Sequence, residues 1–275
     1  MKVGVLIVVN DAEIEEKFKR VHDLGLESCQ ITCWNHSILT DETAEKINAA
    51  CKKYGIKIST VWVGWSGPTA WNFTEGPSVL GIVPVEYRYS RMKQLIHGSD
   101  FAKKLGVNQI ATHFGFLPEN PADAQYMPIL AAIRMLADHC KANGQYLLFE
   151  TGQETPVTIL RFIEDSERDN LGVNLDAANL IMYGKANPVD SLTVFGKYVR
   201  DVHAKDGDYP TNGRRLGEEK ALGEGSVNYP AFVKKLREVG YDGPLTIERE
   251  IEGEKQTQDI LKAKAMLEAL IAENA

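Results

Sequence analysis

The sequence lacks the features that mark secreted, membrane-bound and nucleic-acid-binding proteins. Its four cysteines have no spacing typical of a zinc or redox motif, so we expect reduced thiols rather than disulfides. No apolar run approaches the roughly 18 residues of a membrane span, and the N-terminus shows no signal-peptide pattern. Lys and Arg number 31 against 38 Asp and Glu, which leaves no basic footprint for nucleic acid. We therefore expect a cytoplasmic protein that binds neither nucleic acid nor membrane.

A glycine-rich phosphate-binding fingerprint is also missing. The loop after the first strand-like run reads Val-Asn-Asp-Ala at 9–12, which argues against a dinucleotide-binding doubly wound sheet. No linker or shift of composition divides the 275 residues, a length that suits one barrel domain. We therefore predict a single domain over 1–275.

Strand-like apolar runs alternate with helical segments along the whole chain. Such alternation implies a parallel sheet with helices outside it. Eight repeats predict an α/β fold, the closed (β/α)8 TIM barrel, with an open sheet as the alternative. A helix capped by Asp11 is expected after the first strand, and an aromatic-rich segment at 64–90 is expected to form a lid. The predicted strands cover 3–9, 29–33, 58–63, 109–113, 146–150, 171–176, 199–203 and 245–248.

Four consecutive predicted strands end at a side chain that can bind a metal. These are Glu150, Asp176, His203 and Glu248, each preceded by an apolar residue. Because side chains alternate along a strand, the four share one phase and point into the barrel at its C-terminal rim. Three carboxylates and one imidazole suit one divalent cation, Mn²⁺, Mg²⁺, Co²⁺ or Zn²⁺. A salt-bridged ring without a metal remains the alternative.

Further polar and aromatic side chains near the predicted rim are candidates for substrate binding. A histidine at a strand end can hold a hydroxyl, a lysine or arginine in a rim loop can bind negative charge, and aromatic rings can stack on sugar rings. Each also has a structural alternative, as a hydrogen-bonded rim residue, a solvated charge or part of a surface cluster. The candidates are His113, Trp34, Trp65, Gln153, Lys205 and Arg214.

Several stretches of sequence carry a resemblance to a known family. They are Leu-Phe-Glu-Thr-Gly-Gln-Glu at 148–154, Gly-Val-Asn-Leu-Asp-Ala-Ala-Asn at 172–179, Val-His-Ala-Lys-Asp-Gly at 202–207, Leu-Gly-Glu-Gly-Ser-Val-Asn-Tyr at 222–229, and Gly-Tyr-Asp-Gly-Pro-Leu-Thr-Ile-Glu-Arg-Glu at 240–250. With these stretches the chain resembles the xylose-isomerase-like TIM barrels, a group of sugar and sugar phosphate isomerases and epimerases that includes the ketose 3-epimerases.

The resemblance implies roles for particular residues. It implies that the four strand-end side chains bind one divalent metal, and that Glu150 and Glu248 are also the catalytic residues that move protons. The chain departs from the epimerase pattern at one point. The further glutamate that epimerases carry six positions beyond the first is Pro156 here, and Glu154 lies only four positions on. This departure argues against 3-epimerisation of free ketohexoses, though not against enediolate chemistry.

The function predicted on this basis is a metal-dependent isomerase or epimerase of a sugar, sugar phosphate or keto-polyol. It would act by proton transfer through an enediolate. Two alternatives stay open: an inosose-type dehydratase on the same site, and a metal-dependent phosphodiesterase like the apurinic endonucleases. The net charge of -7 disfavours the second. We expect a small sugar or keto-polyol as the binding partner and leave a homo-oligomer open.

Overall fold

A computed structural model describes residues 1–10 and 13–274. Asp11, expected to cap the first helix, therefore lies outside the described residues. The strands are β1 (Lys2–Val8), β2 (Ser28–Cys33), β3 (Lys57–Val63), β4 (Gln109–Thr112), β5 (Tyr146–Glu150), β6 (Leu171–Asp176), β7 (Val199–Ala204), β8 (Asp206–Gly207), β9 (Glu219–Lys220) and β10 (Pro244–Ile247).

Eight of the described strands close into a barrel. Their order around it is β1-β10-β7-β6-β5-β4-β3-β2, and each neighbouring pair runs parallel. The short strands β8 and β9 form a separate antiparallel pair. The structure thus confirms the predicted single-domain (β/α)8 TIM barrel and excludes the open sheet.

Helices cover the outside of the barrel and follow local sequence signals. Thr40 caps α2 by accepting a hydrogen bond from the Thr43 backbone N–H at 3.2 Å, and Gly55 ends that helix in the left-handed conformation. Among residues 1–10 and 13–274, no helix combines the length and apolar composition that a membrane crossing needs. The helices are α1 (Ile14–Asp23), α2 (Asp41–Tyr54), α3 (Gly76–Val79), α4 (Val85–Lys104), α5 (Tyr126–Ala142), α6 (Pro156–Ser166), α7 (Ala177–Met182), α8 (Pro188–Phe195), α9 (Tyr229–Glu238) and α10 (Glu254–Glu273).

The segment 64–90 is more ordered than the sequence suggested. It contains the one-turn helix α3, and α4 begins at Val85 rather than near Arg91. Pro84 precedes α4 with φ -64°, an angle that proline imposes and that leads directly into the helix. None of residues 85–90 is buried, so the first turns of α4 carry no apolar period that the sequence could show, whereas the helix from about Arg91 onwards was predicted.

Side chains alternate between two environments along the strands. Phe149, Leu175, Val202 and Ile247, which precede the four candidate ligands, are buried in the core between strands and helices. The barrel interior below the candidate site is instead partly polar. There Asp201 accepts hydrogen bonds from four side chains. The predicted phase of the strands is therefore present, and it directs the four candidate ligands into the barrel.

Candidate metal centre

The four candidate ligands meet at the C-terminal rim of neighbouring strands. One donor atom from each of Glu150, Asp176, His203 and Glu248 lies within 4.8 Å of the others. His203 Nδ1 is 3.3 Å from Glu150 Oε1, 3.6 Å from Asp176 Oδ2 and 3.0 Å from Glu248 Oε2. The residues come from β5, β6, β7 and the position after β10, which are adjacent in the barrel. Their closeness is thus a direct result of strand order.

Donor atoms that lack a hydrogen bond test whether this cluster fits a metal. Asp176 Oδ2, His203 Nδ1 and Glu248 Oε2 are buried and have no hydrogen-bond partner among the described residues. Buried polar atoms in proteins nearly always have a partner, and these three converge on one point. Carboxylate oxygen and imidazole nitrogen are donors that divalent cations such as Mg²⁺, Mn²⁺ and Zn²⁺ accept. The cluster therefore fits a divalent ion.

The pKa values in the cluster are shifted by burial and by the opposite charges that its side chains bring close together. Burial opposes charge on His203, but Glu150 and Glu248 outweigh it and raise the pKa of the imidazole well above its usual value. Burial also opposes ionisation of Glu248, but Lys205 and His203 hold the pKa of its carboxyl below its usual range. Burial raises the pKa of Asp176 to about 7. In the metal-free protein, a proton on His203 neutralises part of the negative charge that a bound cation would neutralise.

The second ring nitrogen of His203 is held from inside the barrel. His203 Nε2 lies 2.6 Å from Gln30 Oε1, and Gln30 Nε2 donates to Asp201 Oδ2 at 3.1 Å. The carboxylate of Asp201 accepts, so it fixes which end of the Gln30 amide faces the histidine. A proton on His203 Nε2 follows, which leaves Nδ1 free as a ligand. Sequence reasoning missed Gln30, whose one local signal is a polar residue inside an apolar strand.

A pocket of about 790 Å³ opens above the cluster. Trp34, Trp62, Trp71 and Tyr183 contribute aromatic faces to its lining. The Trp62 indole N–H also donates to Glu150 Oε2. The pocket thus combines three of the four candidate ligands, Glu150, His203 and Glu248, with aromatic side chains, as in many small-molecule sites.

Three of the six predicted substrate contacts line this pocket: Trp34, His113 and Lys205. His113 Nε2 lies 3.4 Å from Glu150 Oε1, and burial lowers the pKa of its imidazole. Lys205 is only 3% exposed, with Nζ 3.6 Å from Glu248 Oε2. His113 and Lys205 therefore lie beside Glu150 and Glu248, the two glutamates that were predicted to move protons.

The other three predicted contacts lie outside the pocket lining. Trp65 is buried behind Trp34, with ring centroids 5.5 Å apart. Gln153 is buried and donates to the Tyr183 hydroxyl at 3.0 Å, so it supports a lining residue from behind. Arg214 is exposed in the loop between β8 and β9. Whether a rim-loop side chain reaches the pocket depends on how its loop folds, which no local pattern of sequence reports.

Fold and site together define a TIM barrel with a carboxylate–histidine cluster where barrel enzymes place their active sites, at the C-terminal ends of the strands. The chain belongs to the xylose isomerase-like TIM barrel family, whose model matches residues 18–270. This confirms the family resemblance drawn from the sequence.

Similar proteins cover the chain to different extents. A xylose isomerase domain protein from Planctomyces limnophilus is 35% identical, with a TM-score of 0.93 over 98% of this chain and 97% of that one. A D-tagatose 3-epimerase-like protein shares the fold at 20% identity, with a TM-score of 0.75 over 100% of this chain and 98% of that one. An inosose dehydratase from Lacticaseibacillus casei is 24% identical over 168 residues, 54% of this chain and 55% of that protein. The chain spans about half, or less, of the length of the curated relatives it matches.

Proposed function

We propose that the protein is a divalent-metal-dependent isomerase or epimerase of a sugar or keto-polyol, acting by proton transfer through an enediolate. The observation that carries the proposal is the convergence of buried donor atoms of Asp176, His203 and Glu248, none of which has a hydrogen-bond partner among the described residues, beneath an open pocket. Family membership and the epimerase-like structural neighbour support the same class of enzyme.

Glu150 and Glu248 are the proposed acid and base. They extend from β5 and from the end of β10, with β6 and β7 between them, so they reach the pocket from different sides. One carboxylate takes a proton from the carbon beside the carbonyl; a proton is then returned by the same carboxylate or, on the opposite face, by the other carboxylate after it has been protonated from solvent. Return to the same carbon from the opposite face gives an epimer, whereas return to the neighbouring carbon gives an isomer. The four candidate ligands would hold a divalent ion, which would supply Lewis-acid stabilisation of the developing negative charge.

Two neighbours hold Glu150 in position for this role. The Trp62 indole donates to one carboxylate oxygen, and His113 Nε2 lies 3.4 Å from the other. Burial opposes ionisation of Glu150, but the neighbouring histidines outweigh it and lower the pKa of its carboxyl. A base must be ionised to accept a proton, and these contacts keep Glu150 in that state.

An inosose-type dehydratase is the second candidate function. In that reaction the same proton abstraction is followed by loss of a β-hydroxyl. The position six beyond Glu150, where epimerases carry a further glutamate, is Pro156, the first residue of α6. Glu154 does not replace that acid, because it is buried and its carboxylate lies outside the pocket lining. The inosose dehydratase relative supports the same alternative.

Proton NMR in D₂O tests the proposal. The Mn²⁺-loaded protein is incubated with a panel of ketoses and keto-polyols, and protein and metal are removed before acquisition. Deuterium at C3 indicates epimerisation, deuterium at C1 or C2 indicates isomerisation, and loss of water indicates the dehydratase. Absence of exchange across the panel, with Mn²⁺ bound, would count against enediolate chemistry.

A further inference from the structure

Arg91 is a buried arginine of α4 whose hydrogen bonds all go to backbone carbonyls. Its side chain is 0% exposed. Burying a charge costs free energy unless other groups compensate for it, and a carboxylate is the usual partner. Here the guanidinium donates instead to carbonyl oxygens of the segment 66–81. The acceptors are Ser66, Pro68, Val79 and Gly81, at 3.2, 3.0, 2.6 and 2.7 Å.

The four carbonyls lie at the two ends of this segment. The first two begin it and the last two end it, so one guanidinium joins both ends. Arginine suits this role because its planar fork presents five N–H donors in fixed directions. The rings of Trp65 and Tyr87 lie 5.2 and 4.6 Å from its Cζ and help to hold the fork in place. Arg91 thus ties the segment to a helix that packs on the barrel.

The residues between these ends form one side of the pocket. Thr69 and Trp71 line it, and Trp71 completes an aromatic wall with Trp34 and Trp62. The Trp71 ring lies 5.2 Å from the ring of His113, another lining residue. The position of the segment therefore determines where this aromatic face would meet a bound substrate.

Other hydrogen bonds hold the segment less firmly or at one end alone. The Phe73 N–H donates to Arg214 O at 3.4 Å, a long bond to the loop that follows β7, on the opposite side of the barrel from β3. The Gln94 amide accepts from the Ser66 N–H at 2.9 Å and donates to its hydroxyl at 2.8 Å, but it reaches only the first end. Hydrogen bonds from a charged donor are roughly twice as strong as neutral ones. Arg91 is thus the side chain that fixes both ends.

We infer that Arg91 is a positioning residue for the proposed reaction: it holds the segment 66–81 in the form in which Thr69 and Trp71 line the pocket, and so sets the affinity for substrate. Arg91 is not part of the pocket lining, so its effect passes through the segment. The inference rests on the proposed function for the reaction and adds a residue that no local pattern of sequence connects with the site.

Two variants of the same helix separate this role from a general one in stability. Arg91→Lys keeps the charge, but a single ammonium cannot replace the fork that reaches both ends of the segment. Arg88→Lys is the matched control, because Arg88 also lies on α4 and donates to the carbonyls of Ile82 and Val83 at 2.8 and 2.6 Å, just beyond the segment. Both variants are expected to lower the melting temperature, and only the first should change the pocket.

Hydrogen exchange followed by mass spectrometry tests the position of the segment without turnover. Arg91→Lys is expected to raise amide exchange within 66–81 at least about tenfold, because local opening no longer breaks four charged hydrogen bonds. Peptides from β5 to β7 should exchange as in the wild type, and Arg88→Lys should leave 66–81 unchanged. Wild-type exchange at 66–81 in Arg91→Lys, or an equal rise in the control, would overturn the inference.

Steady-state kinetics on the substrate identified by the D₂O panel measures the consequence. Arg91→Lys is expected to raise KM at least about tenfold while kcat and Mn²⁺ affinity stay within about threefold, because the segment binds substrate and carries neither the proposed bases nor the candidate ligands. A lower kcat at unchanged KM overturns the inference, and so does a higher KM in Arg88→Lys. Where Arg91→Lys does not fold, an unchanged KM in Trp71→Ala overturns it. No turnover of any panel member by the wild type counts against the proposed function, and the exchange result then decides the inference alone.

Discussion

Gln30→Met is expected to weaken binding of a divalent metal although Gln30 is not itself a candidate ligand. The Gln30 carbonyl accepts from His203 Nε2 at 2.6 Å and so fixes both the tautomer and the orientation of the ring. Methionine has a similar length and apolar bulk, but its thioether is a weak acceptor. The variant keeps the barrel filled while it removes the contact that presents Nδ1 to the cluster.

The expected loss is about 10- to 100-fold in metal affinity, the range found when partners behind a metal ligand are removed. That corresponds to about 1.4 to 2.8 kcal/mol. A buried donor left without its acceptor costs about 1 to 3 kcal/mol, which agrees. Asp201 keeps the hydroxyls of Ser59 and Thr60, at 2.7 and 2.6 Å, so most of the cost falls on His203.

Calorimetric titration of the metal-free variant with Mn²⁺ measures this effect. Thr60→Val is the matched control, because it removes a donor to Asp201 in the same polar network without contacting His203. The control should lower the free energy of unfolding and leave the Mn²⁺ affinity unchanged. Wild-type affinity in Gln30→Met would refute the reasoning, and so would an equal loss in both variants.

Three further predictions concern the acid–base residues, the metal and a buried carboxyl. Glu248→Gln should abolish deuterium exchange while circular dichroism shows an intact fold, and retention of more than a few per cent of activity would contradict its role. Removal of metal by a chelator should lower the melting temperature, and Mn²⁺ at about 100 times its Kd should restore roughly 2.7 kcal/mol; identical melting with and without Mn²⁺ would argue against the site. Burial raises the pKa of Glu154 to about 8, against which Lys185 acts only weakly. The folded protein therefore holds a proton that the unfolded chain releases near pH 4.5, so stability is lost as the pH rises towards 8. Glu154→Gln should remove this loss, at most about 1.4 kcal/mol per pH unit, in denaturant unfolding at several pH values; parallel profiles for both proteins would exclude it.

The candidate ligands could be found from sequence because their positions depend on local rules. An apolar run that stops at one acid or histidine marks the C-terminal end of a strand, and parallel strands bring all such ends to one rim. β5 ends at Glu150 and β6 at Asp176, as the pattern predicted. Strand order then brings the four side chains together, because they lie at the ends of adjacent strands.

Other parts of the site depend on contacts that no local pattern encodes. Gln30 meets His203 across 173 positions of chain, and only the closed barrel makes them neighbours. Trp65 was predicted to contact substrate and Trp71 was not, yet Trp71 lines the pocket and Trp65 is buried behind Trp34. The short helix α7 was missed because six residues are too few for a helical period. Its N-terminus is capped by Asp176, whose Oδ1 accepts from the Asn179 N–H at 2.7 Å.

The candidate metal ligands and the three tryptophans of the pocket wall come from different halves of the chain. All four candidate ligands come from strands β5 to β10, whereas Trp34, Trp62 and Trp71 of the aromatic wall come from the first half of the sequence. Trp34 and Trp71 line the pocket, whereas Trp62 also donates to Glu150 and Gln30 contacts His203, so Trp62 and Gln30 tie the two halves together. Over evolutionary time, drift at Trp34 and Trp71 offers a route to new substrates, while exchange of the whole first half would also disturb the candidate ligands.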